Sequence, residues 1–259
     1  MTDVQSQPDV RKIAINKVGV KDIRYPIIVR DQAKETQATV ASINMYVNLP
    51  HDFKGTHMSR FIEVLNRRHG RITLNNFLGI LDELKEELNA KLAHVEMEFP
   101  YFVEKAAPVS GEISMMEYEC RYIGEINDHQ RIFHVGITVP VTTLCPCSRE
   151  MSERGAHNQR GQVTVTLEFK RFFWIEDVIK LIEDSASSPV YALLKREDEK
   201  WVTERAYDHP MFVEDLVREV TLRLKQDENF TWFRVEAENF ESIHNHSAYA
   251  MVEWEADNE

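Results

Sequence analysis

The chain has 259 residues, with 31 Lys and Arg against 43 Asp and Glu, so its formal net charge is −12. A protein that binds a nucleic-acid backbone presents clustered Lys and Arg, and the acids spread along this chain exclude that class of partner. Hydrophobic residues make up 43% of the chain, which excludes general disorder.

The chain has no stretch that approaches the ~18 consecutive apolar residues of a membrane span, and its polar N-terminus lacks the apolar core of a signal peptide. The expectation is a soluble, cytoplasmic protein with no membrane partner. The three cysteines do not form a disulfide framework, because their number is odd and Cys145 and Cys147 are too close in sequence. A chemical role is expected for this pair, whereas Cys120 lies on the apolar face of a predicted strand and is expected to pack.

The first half, after a polar segment over residues 1–11, predicts two strands, two helices and two further strands. β-Branched and aromatic residues predict strands from Lys12 to Arg30 and from Glu35 to Leu49. Apolar residues at helical spacing predict two helices with a break from Arg71 to Thr73. These apolar positions are Met58, Phe61, Ile62 and Leu65, then Phe77, Leu78, Leu81, Leu84 and Leu88. Alternation of apolar and charged residues predicts strands at Val95 to Phe99 and Met116 to Tyr122.

The second half repeats this order of elements. Strands are predicted at Ile132 to Val141, Val163 to Phe169, Phe233 to Ala237 and Ala248 to Trp254. The helices of this half are predicted at Ile175 to Ile182 and Val213 to Leu224, with an irregular charged segment between them. A long polar insert separates the first two strands.

Both halves therefore read ββααββ, which predicts an α+β fold with one unit over 12–128, a second over 129–259 and a seam near Asn127 to Gln130. In each unit the two helices are expected to cover one face of a four-stranded antiparallel sheet. Because the outer strands of such sheets need partners, we expect a homo-oligomer whose sheets close into a barrel.

The insert from Thr142 to Gly161 is the most informative segment for function, since long loops inside compact domains are usually functional. It places Cys145 and Cys147 ten to twelve residues before His157. Thiolate and imidazole are ligands that a borderline-soft ion such as zinc prefers. The alternative is a buried, inert cysteine pair beside a surface histidine.

Further clusters carry charged or ionisable side chains. The segment Glu241 to His246 puts an acid and two imidazoles, His244 and His246, in one turn, with a solvated polar turn as the alternative. The segment Leu194 to Tyr207 mixes basic and acidic residues, and its alternative interpretation is a salt-bridged surface without a functional role. Two further candidates lie at the starts of predicted helices. Arg60, with His57 nearby, lies at the beginning of a helix in the first half, and Glu214 lies at the start of a helix in the second half.

Several motifs in order resemble the prokaryotic type IB GTP cyclohydrolase I family. They are Arg24-Tyr-Pro-Ile, Gly55-Thr-His-Met-Ser-Arg-Phe61, Leu144-Cys-Pro-Cys-Ser148, Gly155-Ala-His-Asn-Gln-Arg160, Val202-Thr-Glu-Arg-Ala-Tyr207, Phe212-Val-Glu-Asp215 and Glu241-Ser-Ile-His-Asn-His246. The resemblance implies the tunnelling fold, with two ββααββ units per chain and a homotetramer that has its active sites at interfaces.

The resemblance also implies metal-dependent hydrolysis of GTP to formate and 7,8-dihydroneopterin triphosphate, the first step of folate and pterin biosynthesis. The implied metal ligands are Cys147, His157, Glu199 and His244, and the ion is manganese, zinc or iron. The implied catalytic residues are Cys145, His244 and Glu241. Glu214 is implied to bind the guanine edge, and the basic candidates for the triphosphate are Arg60, Lys195, Arg196 and Arg205.

Three other functions share some of these features. A zinc nucleobase deaminase has a different cysteine spacing and needs a His-X-Glu motif before it. A deazapurine nitrile reductase of the same fold shares the architecture without needing a paired histidine and metal set. A non-catalytic thiol or metal-binding protein would use Cys145 and Cys147 in a closed site.

Overall fold

The computed structural model describes residue 5 and residues 7–256. The described strands are β1 (Ile15–Asp31), β2 (Glu35–Leu49), β3 (Ala93–Ala106), β4 (Ile113–Ile126), β5 (Arg131–Leu144), β6 (Asn158–Phe169), β7 (Ser188–Pro189), β8 (Phe230–Asn239) and β9 (Ala248–Glu255). The helices are α1 (Met58–Arg67), α2 (Leu78–Glu87), α3 (Pro146–Met151), α4 (Ile175–Ser185), α5 (Arg196–Asp208) and α6 (Val213–Leu224). The predicted α+β class is confirmed.

One sheet contains all of these strands, in the order β1-β2-β3-β4-β5-β6-β8-β9, and the short β7 pairs with β5. The pairs β1–β2, β2–β3, β5–β7, β6–β8 and β8–β9 are antiparallel. The outer strands of this order are β1 and β9, whose outer backbone groups are those that a further strand would pair with.

The chain divides into two compact units. The first comprises Met1–Pro100 and Arg121–Val135, and the second comprises Tyr101–Cys120 and Gly136–Glu259. Strands β3, β4 and β5 each contribute residues to both units, because a unit boundary falls inside each of these strands. The compact units therefore differ from the two halves of the element order, and the repeat boundary at 127–130 stays a prediction.

An aromatic cluster forms part of the first unit's core. Phe77 stacks on Phe133 with ring centroids 4.9 Å apart, and Tyr122 meets the edges of Phe99 and Phe133. A Cβ atom at position 124 would lie 2.8 Å from the Phe77 ring, so Gly124 lets this ring sit directly against β4. Such edge-to-face and offset contacts add to the free energy gained from burying the rings.

The apolar face of β6 and β8 forms the core of the second unit. Val163, Val165 and Leu167 pair across the ladder with Ala237, Val235 and Phe233, and all six are buried. Helices α4 and α6 supply the covering apolar side chains, among them Ile179, Ile182, Leu216 and Val220. The alternation that predicted these strands thus marks their buried face.

A buried charged pair lies in the same unit. Lys105 Nζ is 2.7 Å from Glu183 Oε1, Tyr118 donates to the same oxygen at 2.8 Å, and Lys105 also donates to the Val190 carbonyl at 2.7 Å. Burial lowers the pKa of Lys105, although Glu183 opposes this effect. Because each charge is buried with its partner, loss of either one would leave the other without compensation.

Two expectations about the second half were wrong. The predicted polar insert begins and ends inside strands, because β5 continues to Leu144 and β6 begins at Asn158. The charged segment between the predicted helices is helix α5. Its start is stabilised by Asp198, whose carboxylate accepts a hydrogen bond from the backbone of Val109, in the turn between β3 and β4. In the second half α3, β7 and α5 are therefore added to ββααββ. Within residues 7–256, no helix is long and apolar enough to cross a membrane.

Candidate active site

The two cysteines lie on a closed loop between β5 and β6. The loop starts at Cys145, whose backbone N–H donates to the His157 carbonyl at 3.1 Å. Pro146 occupies the first turn of α3, and the Ser148 N–H points at Cys145 Sγ at 3.4 Å. The His157 N–H in turn donates to Ser148 Oγ at 3.2 Å. These bonds tie the two ends of the loop together, leaving Cys145 half-buried and Cys147 exposed.

The imidazole of His157 is held by residues of two neighbouring strands. Its Nδ1 atom lies 3.2 Å from Gln159 Oε1, on β6 itself, and 3.4 Å from Ser242 Oγ, just after β8. The structure therefore brings the cysteine loop beside the segment 241–246. In that segment the His244 and His246 rings stack 5.1 Å apart and are exposed, while Glu241 is half-buried.

The meeting of these two segments depends on close packing of β6 and β8. Gly161 pairs with Asn239, and a Cβ atom at position 161 would lie 2.5 Å from Asn239 Oδ1 and 2.9 Å from the Glu238 carbonyl oxygen. The Phe240 N–H donates to the Arg160 carbonyl at 2.9 Å, which continues the ladder towards Ser242. A side chain larger than hydrogen at position 161 would therefore push the two strand ends apart.

Helix α5 is anchored by Asp198, which is fully buried. Its carboxylate accepts hydrogen bonds from the backbone of Val109, Ser110 and Lys195 and from Ser110 Oγ, at 2.6–2.9 Å. Burial favours a raised pKa for Asp198, but the bonds from Ser110, Lys195 and Val109 outweigh it and hold the pKa well below its usual range. The turn between β3 and β4 thereby fixes the start of α5, where Lys195 and Arg196 are exposed.

Two arginines, one on α3 and one on α5, lie over aromatic rings. The Arg149 guanidinium of α3 is 4.7 Å from the Tyr207 ring centroid of α5, and that of Arg205 is 5.4 Å from the ring of Trp201. The first contact links α3 to α5. Arg205 Nε is buried with no hydrogen-bond partner among the described residues.

Glu214 lies in the first turn of α6 and is exposed. The Met211 N–H donates at 3.0 Å to the carbonyl of Leu144, the residue before Cys145, so the approach to α6 is bonded to the end of β5. Arg60 belongs to the first compact unit, where its guanidinium donates to the Glu87 carbonyl at the end of α2 at 2.6 Å.

The described part of the chain contains no group of three His, Cys, Asp or Glu side chains able to hold a metal ion. Cys147 and His157 share one loop, but Glu199 and His244, which are exposed, do not complete a ligand set with them within one chain. Sequence reasoning missed Gln159, Ser148 and Ser242 as contacts of His157. The i, i+2 spacing of His157 and Gln159 was a usable signal, because alternate residues of a strand share a face.

The family model for the type I GTP cyclohydrolase FolE2 matches residues 1–250 of the chain. The chain belongs to the type I GTP cyclohydrolase FolE2 family. This confirms the family and the enzyme class expected from the motifs. The GTP cyclohydrolase FolE2 of Syntrophotalea carbinolica is 64% identical over 98% of this chain and 95% of its own length, and that of Syntrophus aciditrophicus is 60% identical over 98% and 100%.

Solved structures with a similar fold include two uricases. The uricase from Arthrobacter globiformis has a TM-score of 0.58 at 10% identity and covers 94% of both chains. The uricase from Bacillus fastidious has a TM-score of 0.59 at 9% identity and covers 93% of both. At such low identity the likeness concerns the fold alone, an α+β architecture with a large antiparallel sheet.

Replacing Gly161 by Ala tests the packing that holds the candidate site of this FolE2 family member together. The added methyl group must displace the Glu238 backbone, so we expect unfolding free energy to fall by about 1–3 kcal/mol, the usual cost of overpacking. Denaturant unfolding measures this change. Gly55→Ala is the matched control, because its Cβ atom would meet nothing closer than 3.4 Å. Equal stability of Gly161→Ala and the wild type would contradict the role given to this packing.

Proposed function

We propose that this protein hydrolyses GTP to formate and 7,8-dihydroneopterin triphosphate, the entry step to tetrahydrofolate and related pterins. The observation that carries the proposal is the full-length match to FolE2 enzymes, together with the contact between His157 and Ser242 that joins two of the motif segments. The cytoplasmic location stays a prediction.

The side chains near His157 are of the types that bind a divalent ion, but one chain brings too few of them together to hold it. A thiolate and an imidazole suit zinc, iron or manganese in decreasing order of softness, and Glu199 adds a carboxylate. Because one chain gathers fewer than three such donors among its described residues, we propose that Cys147, His157, Glu199 and His244 complete the ligand set between copies of the chain. A bound divalent ion would supply a water nucleophile at neutral pH.

The residues around the metal ligands suit the proton transfers of this reaction. Attack of water at C8 of guanine, with a proton delivered to N7, breaks one C8–N bond and opens the imidazole ring to a formamide. A second water then breaks the remaining C8–N bond and releases C8 as formate, and the amine left behind takes up the proton. Cys145, Glu241 and His244 are the proposed groups that hold or move these protons. Cys145 and Glu241 are half-buried, which limits their exchange with bulk water, whereas His244 is exposed and able to exchange protons with it.

Substrate recognition is assigned to Glu214 and to a few basic residues. The guanine N1–H and N2 amino groups form a pair of donors that a carboxylate accepts bidentately, and Glu214 is exposed and accessible for this. Arg60, Lys195, Arg196 and Arg205 are the proposed ligands of the triphosphate. Lys195 and Arg196 are exposed at the start of α5, whereas Arg205 is partly buried beside Trp201.

The proposed assembly is a homotetramer with active sites at its interfaces. Strands β1 and β9 are the outer strands of the sheet order, and pairing them with other copies would continue the sheet. Such assembly would also bring donors from a second copy to His157 and Cys147. The barrel and the tetramer are supported by these edges and by the incomplete ligand set of one chain.

Incubating metal-loaded protein with GTP tests the activity. We expect release of formate together with a pterin that fluoresces after oxidation, with manganese, zinc or iron. Cys147→Ala and His157→Ala should each lower kcat by about 100-fold or more, because each removes a proposed ligand of the ion that would activate the attacking water. Cys120→Ala is the thiol control, since Cys120 is buried in the core. Absence of product with all three metals would refute the proposal.

Inosine triphosphate tests the role of Glu214, because it lacks the N2 amino group of GTP. We expect the wild type to prefer GTP by roughly 10- to 100-fold in kcat/KM, the scale of one hydrogen bond to a charged group. Glu214→Ala should lose this preference and keep its metal content. Glu228→Ala, an exposed acid before β8, is the control. A Glu214→Ala enzyme with the wild-type preference would rule out this assignment.

Mixing inactive variants tests whether the ligand set spans two copies. Cys147→Ala and Glu199→Ala are each expected to be inactive, and co-assembled chains should regain activity because some sites then combine an intact Cys147 with an intact Glu199. The control mixture is Cys147→Ala with His157→Ala, which share one loop and should not complement each other. If neither mixture recovers activity although mixed oligomers form, the ligands come from one chain.

A further inference from the structure

Gln159 connects His157 to the buried interior of the second compact unit. Its side chain is 6% exposed, and its Nε2 donates at 2.9 Å to the hydroxyl of Thr143, which is wholly buried on β5. The other end of the same amide places Oε1 3.2 Å from His157 Nδ1. The amide is therefore fixed at both ends, between a buried hydroxyl and the imidazole.

The two ends of a carboxamide have opposite hydrogen-bonding roles, since its NH₂ group only donates and its oxygen only accepts. In the structure the NH₂ group donates to Thr143 Oγ1 and Oε1 faces His157 Nδ1. Because this oxygen only accepts, the contact is a hydrogen bond when Nδ1 carries a proton. Ser242 Oγ lies 3.4 Å from the same nitrogen, so a second oxygen faces it. In a neutral imidazole the proton on Nδ1 leaves the lone pair on Nε2.

We propose that Gln159 is a positioning residue that keeps His157 in the tautomer protonated at Nδ1 and orients its Nε2 lone pair for ligand binding. The His157 carbonyl accepts from the Cys145 N–H and the His157 N–H donates to Ser148 Oγ, so the main chain is already held. The contribution of Gln159 is therefore the orientation and tautomer of the ring. The use of this lone pair in GTP hydrolysis rests on the proposed function, whereas the tautomer itself does not.

The neutrality of Gln159 matters at this position. A carboxylate would also accept a hydrogen bond from Nδ1, but it would add a negative charge beside a site that is proposed to receive a triphosphate. The amide gives the same geometry without this repulsion. Gln159 therefore holds the imidazole in place and adds no negative charge to a chain whose net charge is already −12.

Nitrogen NMR of the metal-free protein tests the tautomer directly. In protein labelled with ¹⁵N-histidine, the His157 signals, assigned by their loss in His157→Gln, should show protonated Nδ1 and unprotonated Nε2 at a pH where the ring is neutral. Gln159→Glu should keep this pattern. Gln159→Leu should shift it towards the Nε2-protonated form that free imidazole side chains favour, and Gln162→Leu, an exposed neighbour on β6, should leave it unchanged.

A protonated Nε2 in the wild type would overturn the inference, as would an unchanged pattern in Gln159→Leu. A second measurement uses Zn²⁺ as the probe in titration calorimetry. Gln159→Leu should bind zinc about 10- to 100-fold more weakly, the usual effect of losing such a partner of a ligating histidine, and Gln159→Glu should restore most of the affinity. Equal zinc affinity of Gln159→Leu and the wild type would also overturn it.

The same variants separate this inference from the proposed function. In the GTP assay, Gln159→Leu should lower kcat with little change in KM, because Gln159 does not touch the substrate. If the wild type shows the Nδ1 tautomer but no variant or metal yields formate, the proposed function fails and the tautomer assignment stands. If formate is released but His157 carries its proton on Nε2, the inference alone fails.

Discussion

The close pairing of β6 with β8 is the constraint on which the rest of the site depends. β6 leaves the cysteine loop and β8 leads into the segment 241–246, so the register of this one ladder decides which residues meet at the strand ends. Gly161 against Asn239 sets that register at its tightest point. From it follow the contact of Ser242 with His157 and the proximity of the two segments that the motifs had marked separately.

The helices are attached to this ladder by hydrogen bonds that are distant in sequence. Asp198 ties α5 to the turn between β3 and β4, and the bond from Met211 to Leu144 ties the approach to α6 to the end of β5. Each bond joins a helix start to a strand or turn, where free N–H and C=O groups are available. Side chains at the starts of α5 and α6, among them Glu214, are therefore held in place by the backbone framework of the sheet.

Much of the fold was readable from the sequence because alternation and helical spacing are local signals. The strand from Val163 to Phe169 and the helix from Val213 to Leu224 were placed well because their buried faces are regular. Helix α5 was missed since its residues are mostly charged and its start depends on Asp198 bonding to residues 109 and 110. The six-residue α3 is too short for any periodicity.

The sequence predicted the separate loops of the candidate site, but it did not predict which residues of these loops contact one another. The motifs contain Cys145, His157 and the segment 241–246. No local sequence pattern shows that Ser242 contacts His157, because that contact depends on strand pairing. Gln159 lay inside a quoted motif, yet its importance depends on a partner, Thr143, that is 16 residues away in the chain. Interactions between distant residues are the part that one sequence does not reveal.

The net charge of −12 opposes the binding of a polyanionic substrate. Binding of such a substrate would therefore depend on basic residues whose charge is not cancelled by neighbouring acids. Some basic residues pair with acids, as Arg131 does with Asp82 at 2.7 Å. Arg149 of α3 and Arg205 of α5 lie over the rings of Tyr207 and Trp201. An aromatic face orients a guanidinium without cancelling its charge, so the N–H groups at its edge can still donate to an anion. The two guanidinium groups thus keep their positive charge within an acidic protein, as the proposed binding of a triphosphate would require.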